Sequence, residues 1–143
     1  MKTEMKVMLA CAVLVVTGLF TTIGHAQGDR WQVLRDDPTL RDGLTVFAIG
    51  RRIDRRCDEI DARRLQAFGF LRGLVHHAES LGFTRDEIEA YVEDEDEQER
   101  YKQIARAYFA ERGVDWRDND GICRVGRDEI SSGSPIGRLL RGG

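Results

Sequence analysis

Two cysteines, Cys57 and Cys123, constrain this chain more than any other feature, because they are far apart and have no competitor once the leader is gone. Lys2 and Lys6 make a short basic start, Val7 to Ile23 is almost wholly apolar, and Gly24-His25-Ala26 sets small residues before a cut between Ala26 and Gln27. That is the pattern of a secretory signal peptide. The apolar run is at the lower limit for spanning a bilayer, so an uncleaved anchor is the alternative. The cleavage site favours removal, which leaves no stable membrane anchor. Lipid attachment at Cys11 is discounted, since Leu9 is misplaced and hardly any apolar stretch precedes the cysteine. Cleavage then takes Cys11 away and leaves an even count in the periplasm or the exterior, where disulfides persist. Only Cys57 with Cys123 remains possible. A bond closing so long a loop adds about 4 kcal/mol in the chain-entropy account, a large share of the stability of one domain.

Without Lys2, Lys6 and Glu4, the 22 basic and 25 acidic residues become 20 and 24, a net charge of −4. Such a balance gives no general attraction to nucleic acid or anionic lipid. Residues 27–36 read as an N-terminal tether free to dock, with Trp31, Val33 and Leu34 as their only apolar groups. Residues 37–143 read as one helical domain of class all-α: a compact bundle of four to five helices, the first and last linked by the disulfide.

The first helix is expected to start with Asp37 as N-cap and Pro38 at the first helical position, and to run to about Cys57. Leu40, Leu44 and Phe47 form one row along it, and Val46, Ile49, Gly50, Ile53 and Cys57 an adjacent one. Together they predict one broad buried face. Arg51, Arg52, Arg55 and Arg56 fall mainly off that face and read as a solvated flank paired with Asp54, Asp58 and Glu59, in preference to an anion site. Asp61 is placed to cap a second helix over 62–81 that turns Phe68, Leu71, Leu74, Val75, Ala78 and Leu81 inward and stops at Gly82. His76 and His77 read as surface residues. Ser80, four residues after His76, permits a nucleophile–base contact with nothing to orient it.

Thr84 and Glu87 have capping-box spacing before a short helix with Ile88, Tyr91 and Val92 inside. The acidic run 93–99 lacks the glycine and oxygen spacing of an EF-hand loop and reads as a solvated bend or helix start. The next helix, about 95–112, buries Tyr101, Ile104, Ala105 and Tyr108 and stops at Gly113. Residues 115–121 also miss two anchoring acids of a calcium loop and read as a turn, with Asp118 or Asp120 as cap and Trp116 over the core. No metal centre and no cofactor motif is identified. The last helix carries Cys123, Gly126 and Ile130 on one face, so the bond sets it antiparallel to the first helix, with Gly50 and Gly126 at the close approach. Ser134-Pro135 restarts the chain, Ile136, Leu139 and Leu140 close one end, and Gly142-Gly143 fray.

Cys57, Tyr91-Val92-Glu93-Asp94, Ala107-Tyr108 with Gly113, and Cys123-Arg124-Val125-Gly126-Arg127-Asp128-Glu129-Ile130 followed by Gly133-Ser134-Pro135-Ile136-Gly137-Arg138-Leu139-Leu140 resemble a domain-of-unknown-function family of small secreted alphaproteobacterial proteins. The resemblance implies an export signal, a helical domain and one disulfide, and supplies no activity.

Three functions are compatible with these residues. The favoured one is a non-enzymatic binding or interaction protein of the bacterial envelope, periplasmic or secreted, meeting a protein or small-molecule partner. Arg124, Arg127, Asp128, Arg138 and Arg141 are its candidate interaction residues, and pairing with neighbouring helices is the plain alternative for them. An envelope-stress or chaperone-like role is suggested by small size, export and charge density. A small hydrolase is the third, and no catalytic constellation marks one.

Overall fold

A computed structural model describes residues 23–143, with side chains from Arg30 onward. The leader through Thr22 and the side chains at the Ala26–Gln27 cut lie outside the described residues. The fold is all-α with the expected disulfide, and it has one helix more than the upper expectation. The helices are α1 (Ile23–Asp36), α2 (Pro38–Arg56), α3 (Arg64–Ser80), α4 (Arg85–Glu93), α5 (Glu95–Ala110) and α6 (Asn119–Ser132).

The extra helix is α1, which occupies the stretch expected as a tether. Its sequence has no regular stripe, yet Trp31 and Leu34 share a face at three-residue spacing and both are used. Leu34 is buried, and the Trp31 ring meets Tyr91 edge-on with centroids 5.6 Å apart. Arg35 Nε donates to Glu97 Oε1 at 2.7 Å. Tertiary contact, more than periodicity, holds this helix.

At the head of α2 the Asp37 carboxylate accepts from Leu40 N–H at 2.9 Å, with Pro38 following, as expected. Cys57 caps the other end and bonds to Cys123 across a Cα–Cα distance of 5.4 Å. From that bond α6 runs back along α2: a Cβ on Gly126 would lie 2.6 Å from Ile53, so contacts step forward on one helix and backward on the other. The antiparallel pairing therefore holds, but only Gly126 sits at a close approach. Gly50, although buried, has nothing within 4 Å of a Cβ built there, so no neighbouring element needs its lack of a side chain.

Two expectations fail at the β1–β2 ribbon, where β1 (Ile60–Ala62) pairs antiparallel with β2 (Leu140–Gly142). Gly143 N–H adds a bond to Glu59 O at 2.8 Å, so the chain end expected to fray is laced to the body. Asp61 is taken into this ribbon and does not cap α3, which begins at Arg64 without a side-chain cap. Its neighbour Asp54 accepts from Ala62 N–H at 2.6 Å instead. Strands of three residues have too few positions to show a period of two.

The stripe on α3 is buried over half its length. Leu74 and Ala78 are inside, whereas Phe68 is 66% and Leu65 86% exposed, because the packed elements cover only the second half of the helix. Leu81 and Val92, also expected inside, are exposed, since Leu81 stands in the turn after α3 and Val92 lies off the face that Ile88 and Tyr91 bury; the caps and stops are realised. Thr84 and Glu87 form the capping box, Asp118 caps α6, and Gly82 and Gly113 take φ of 91° and 69° at the stops.

Apolar burial among the described residues falls into two clusters. One gathers Ile49, Ile53, Ile60, Phe109, Ile122 and Leu140 around the disulfide. The other gathers Leu34, Leu40, Leu74, Phe83, Ile88 and Tyr91. Helix α2 contributes to both, and between them its middle stays half covered.

Candidate functional site

That half-covered middle is the floor of a groove of ≈ 950 Å³. Leu44, Phe47 and Ala48 of α2 lie along it. Leu71, Leu74 and Val75 of α3 form one wall, and Tyr91 and Tyr101, from α4 and α5, line the other side. Of the two rows read on α2, Ile49, Gly50, Ile53 and Cys57 are fully buried, while Leu44 and Phe47 are only half buried. The broad buried face is thus buried at its two ends, from Ile49 to Cys57 on one row and at Leu40 on the other, and half open in the middle, where Leu44, Val46 and Phe47 lie. A half-buried apolar floor of this size is what a ligand pocket presents.

The row of Leu40, Leu44 and Phe47 continues into Arg51 and Arg55, each four residues on, and Arg52 joins them in the lining. These arginines are not the self-neutralised flank the interleaved acids suggested. Asp54 is spent on Ala62 N–H, and Glu59 on Arg127. Among the described residues Arg51, Arg52, Arg55 and Arg56 form no ion pair with an acid. Arg52 stacks on Trp116 with its guanidinium carbon 3.8 Å from the ring centre and donates to the Trp116 carbonyl. Its Nε is buried without an acceptor, as is Nε of Arg106, whose guanidinium approaches the same ring at 5.3 Å. Burial, then repulsion from Arg56 and Arg106, lowers the Arg52 pKa below the ordinary arginine value. Arg106 shares its charge through space with Glu99, whose carboxyl it helps to hold low, whereas Arg51, Arg52, Arg55 and Arg56 have no such partner among the ion pairs of the described residues.

Acids do line the groove, elsewhere along its length. The run 93–99 makes the helix start read for it, with Asp94 capping α5, but one of its acids is not solvated: Glu97 is 2% exposed and accepts from Arg35 and Arg100. Glu99 pairs with Lys102 at 2.7 Å. Glu95 opens α5, ten residues before Ala105, which packs with Ile49 and Ile53 at the basic end. Ten helical residues span about 15 Å. Desolvation, together with the Tyr101 hydroxyl and Glu97, raises the Tyr91 phenol far above its ordinary value, so it stays a neutral hydroxyl in the wall.

The five residues expected as an interaction cluster all lie exposed on or beside α6 and outside the groove. Arg127 pairs with Glu59, and Arg141 lies 3.7 Å from Asp61. Arg124, Asp128 and Arg138 make no ion pair among the described residues. On α3, His77 does not stay at the surface: its Nε2 lies 3.0 Å from both Asp37 oxygens, tying α3 to the cap of α2. His76 pairs with Glu79 at 3.0 Å, and the Ser80 hydroxyl donates to His77 O at 2.6 Å. The His76–Ser80 contact is not made. No group of three or more His, Cys, Asp or Glu converges as a metal would require among the described residues. No described helix is long and apolar enough to cross a membrane.

One signal for the groove was present in the sequence: the row Leu40, Leu44, Phe47, Arg51, Arg55 changes from apolar to basic on a single helix face. Two facts were not: that α3 and α4 leave this row half open, and that the neighbouring acids are engaged elsewhere. No curated protein and no solved structure matches the chain. A family model described as a family of unknown function, DUF5333, matches residues 32–141, nearly the whole described body, and the chain belongs to that family.

Proposed function

We propose that this protein is an exported, non-enzymatic binding protein, periplasmic or secreted, whose groove receives an apolar small-molecule ligand. One observation carries the reading: two apolar clusters stop short of each other and leave a groove of ≈ 950 Å³ floored by half-buried Leu44, Phe47 and Ala48. That volume lies within the range of about 300–1,000 Å³ typical of ligand pockets, and its exposed surface is mostly apolar, with charged side chains set along the rim. A chain needing only stability would gain by closing the gap, since each buried methylene contributes about 0.8 kcal/mol. The disulfide suits an oxidising compartment.

The test uses the full chain exported from an expression host and an uncharged environment-sensitive dye, N-phenylnaphthylamine. Its fluorescence should rise on binding to the wild type. The rise should be lost in Ala48→Trp, which fills the floor, and independently in Leu71→Lys, which charges a wall, with thermal melts showing both variants folded. Dye binding that is absent in the wild type, or unchanged in two folded variants, sinks the reading.

A further inference from the structure

The groove has two chemically different ends, and the difference specifies a ligand. Along α2 the floor passes from Leu40, Leu44 and Phe47 to Arg51 and Arg55, 15 helical steps or about 22 Å of helix. Arg51 and Arg55 are exposed and have no acidic partner among the described residues, and Arg52 adds a third guanidinium held against Trp116 with a donor unused. Such guanidiniums beside an apolar surface form the complement of an anionic group attached to an apolar chain. The four acids of the lining do not pair with them: Glu97 and Glu99 are bonded to other cations, Glu95 stands at the far end of α5, and Glu89 lies exposed on α4 with no ion pair to these arginines among the described residues.

We infer that the ligand is a long-chain fatty acid anion, its carboxylate held at Arg51 and Arg55 with Arg52 behind them, and its chain laid over Leu44, Phe47, Leu71 and Val75. The inference rests on the groove being a binding site and adds the chemistry of its occupant. A free inorganic anion would leave the apolar floor uncovered, and a neutral lipid would leave the arginines without a counter-charge. An apolar peptide segment would cover the floor yet bring no carboxylate to a fixed end.

The experiment titrates dodecanoate and dodecanol, which share a chain and differ in the head, into the wild type and into a double variant carrying Arg51→Gln and Arg55→Gln. Both substituted positions are exposed, so the fold is retained, and circular dichroism checks this. The wild type should bind dodecanoate at least about tenfold more tightly than dodecanol, the step expected of a charge-assisted contact. The double variant should lose that preference while binding dodecanol as before. Equal binding of the two by the wild type, or a preference that survives in the double variant, overturns the fatty-acid assignment and leaves the groove as an apolar site. Binding of neither overturns the groove reading itself, and the assignment with it.

Discussion

At the scale of single residues, the side chains that join helices are charged groups met across long sequence separations. Asp37 is both the cap of α2 and the partner of His77 on α3. Burial pushes its carboxyl up, but the bonds from His77 and from Leu40 N–H outweigh that, and the pKa is lowered. A carboxylate with a lowered folded pKa contributes stability that is present above the unfolded value of about 4 and is lost as pH falls through the folded value. Glu79, Glu87 and Glu99 are lowered as well and act with the same sign. Urea denaturation across acid pH should therefore show a steep loss of stability in the wild type. Asp37→Asn, which keeps a cap but removes the titrating group, should be less stable at neutral pH and show a shallower loss on acidification. A variant curve parallel to the wild type would deny Asp37 this role. Such contacts were hidden in the sequence for a simple reason. Asp37 and His77, or Arg35 and Glu97, are 40 and 62 residues apart, and side-chain pairing across such distances leaves no local pattern.

At the scale of elements, what the chain announces locally is what periodicity and capping encode. The caps at Asp37, Thr84 and Asp118, the stops at Gly82 and Gly113 and the order of the main helices were all legible, because each depends on residues within one turn. The ribbon of β1 and β2 and the docking of α1 were not, since three-residue strands and a two-residue apolar face have no period to read. The groove falls between these cases: its apolar-to-basic row is written on α2, while its openness is decided by how far α3 and α4 cover it. The two glycines on the α2–α6 pair separate local pattern from actual contact. Gly126→Ala forces a Cβ to within 2.6 Å of Ile53 and 2.7 Å of Ile60, and should cost about 1–3 kcal/mol through overpacking. Gly50→Ala meets nothing within 4 Å and should stabilise by about 0.5–1 kcal/mol through helix propensity alone. Thermal melts of the two variants moving in opposite directions are the expected result; a loss at Gly50 equal to that at Gly126 would contradict the geometry.

At the scale of the whole molecule, the pairing of Cys57 with Cys123 was legible from an expected leader and the even cysteine count its removal would leave, and it sets the overall plan. The bond spans 66 residues and encloses α3, α4 and α5, with α2 entering the loop and α6 leaving it. The turn between α3 and α4 is exposed at Leu81, Gly82 and Thr84, which makes it a natural place for a protease to cut. Limited proteolysis there should give a product of unchanged mobility on a non-reducing gel and two fragments after reduction; fragments that separate without reductant would mean that the bond is absent. In such a clipped molecule α2 and α3 belong to one piece and α4 and α5 to the other, yet both walls of the groove stay tethered across the cut. The covalent loop thus keeps the two sides of the groove on one molecule even where the backbone between them is cut: a severed copy remains, covalently, a whole one.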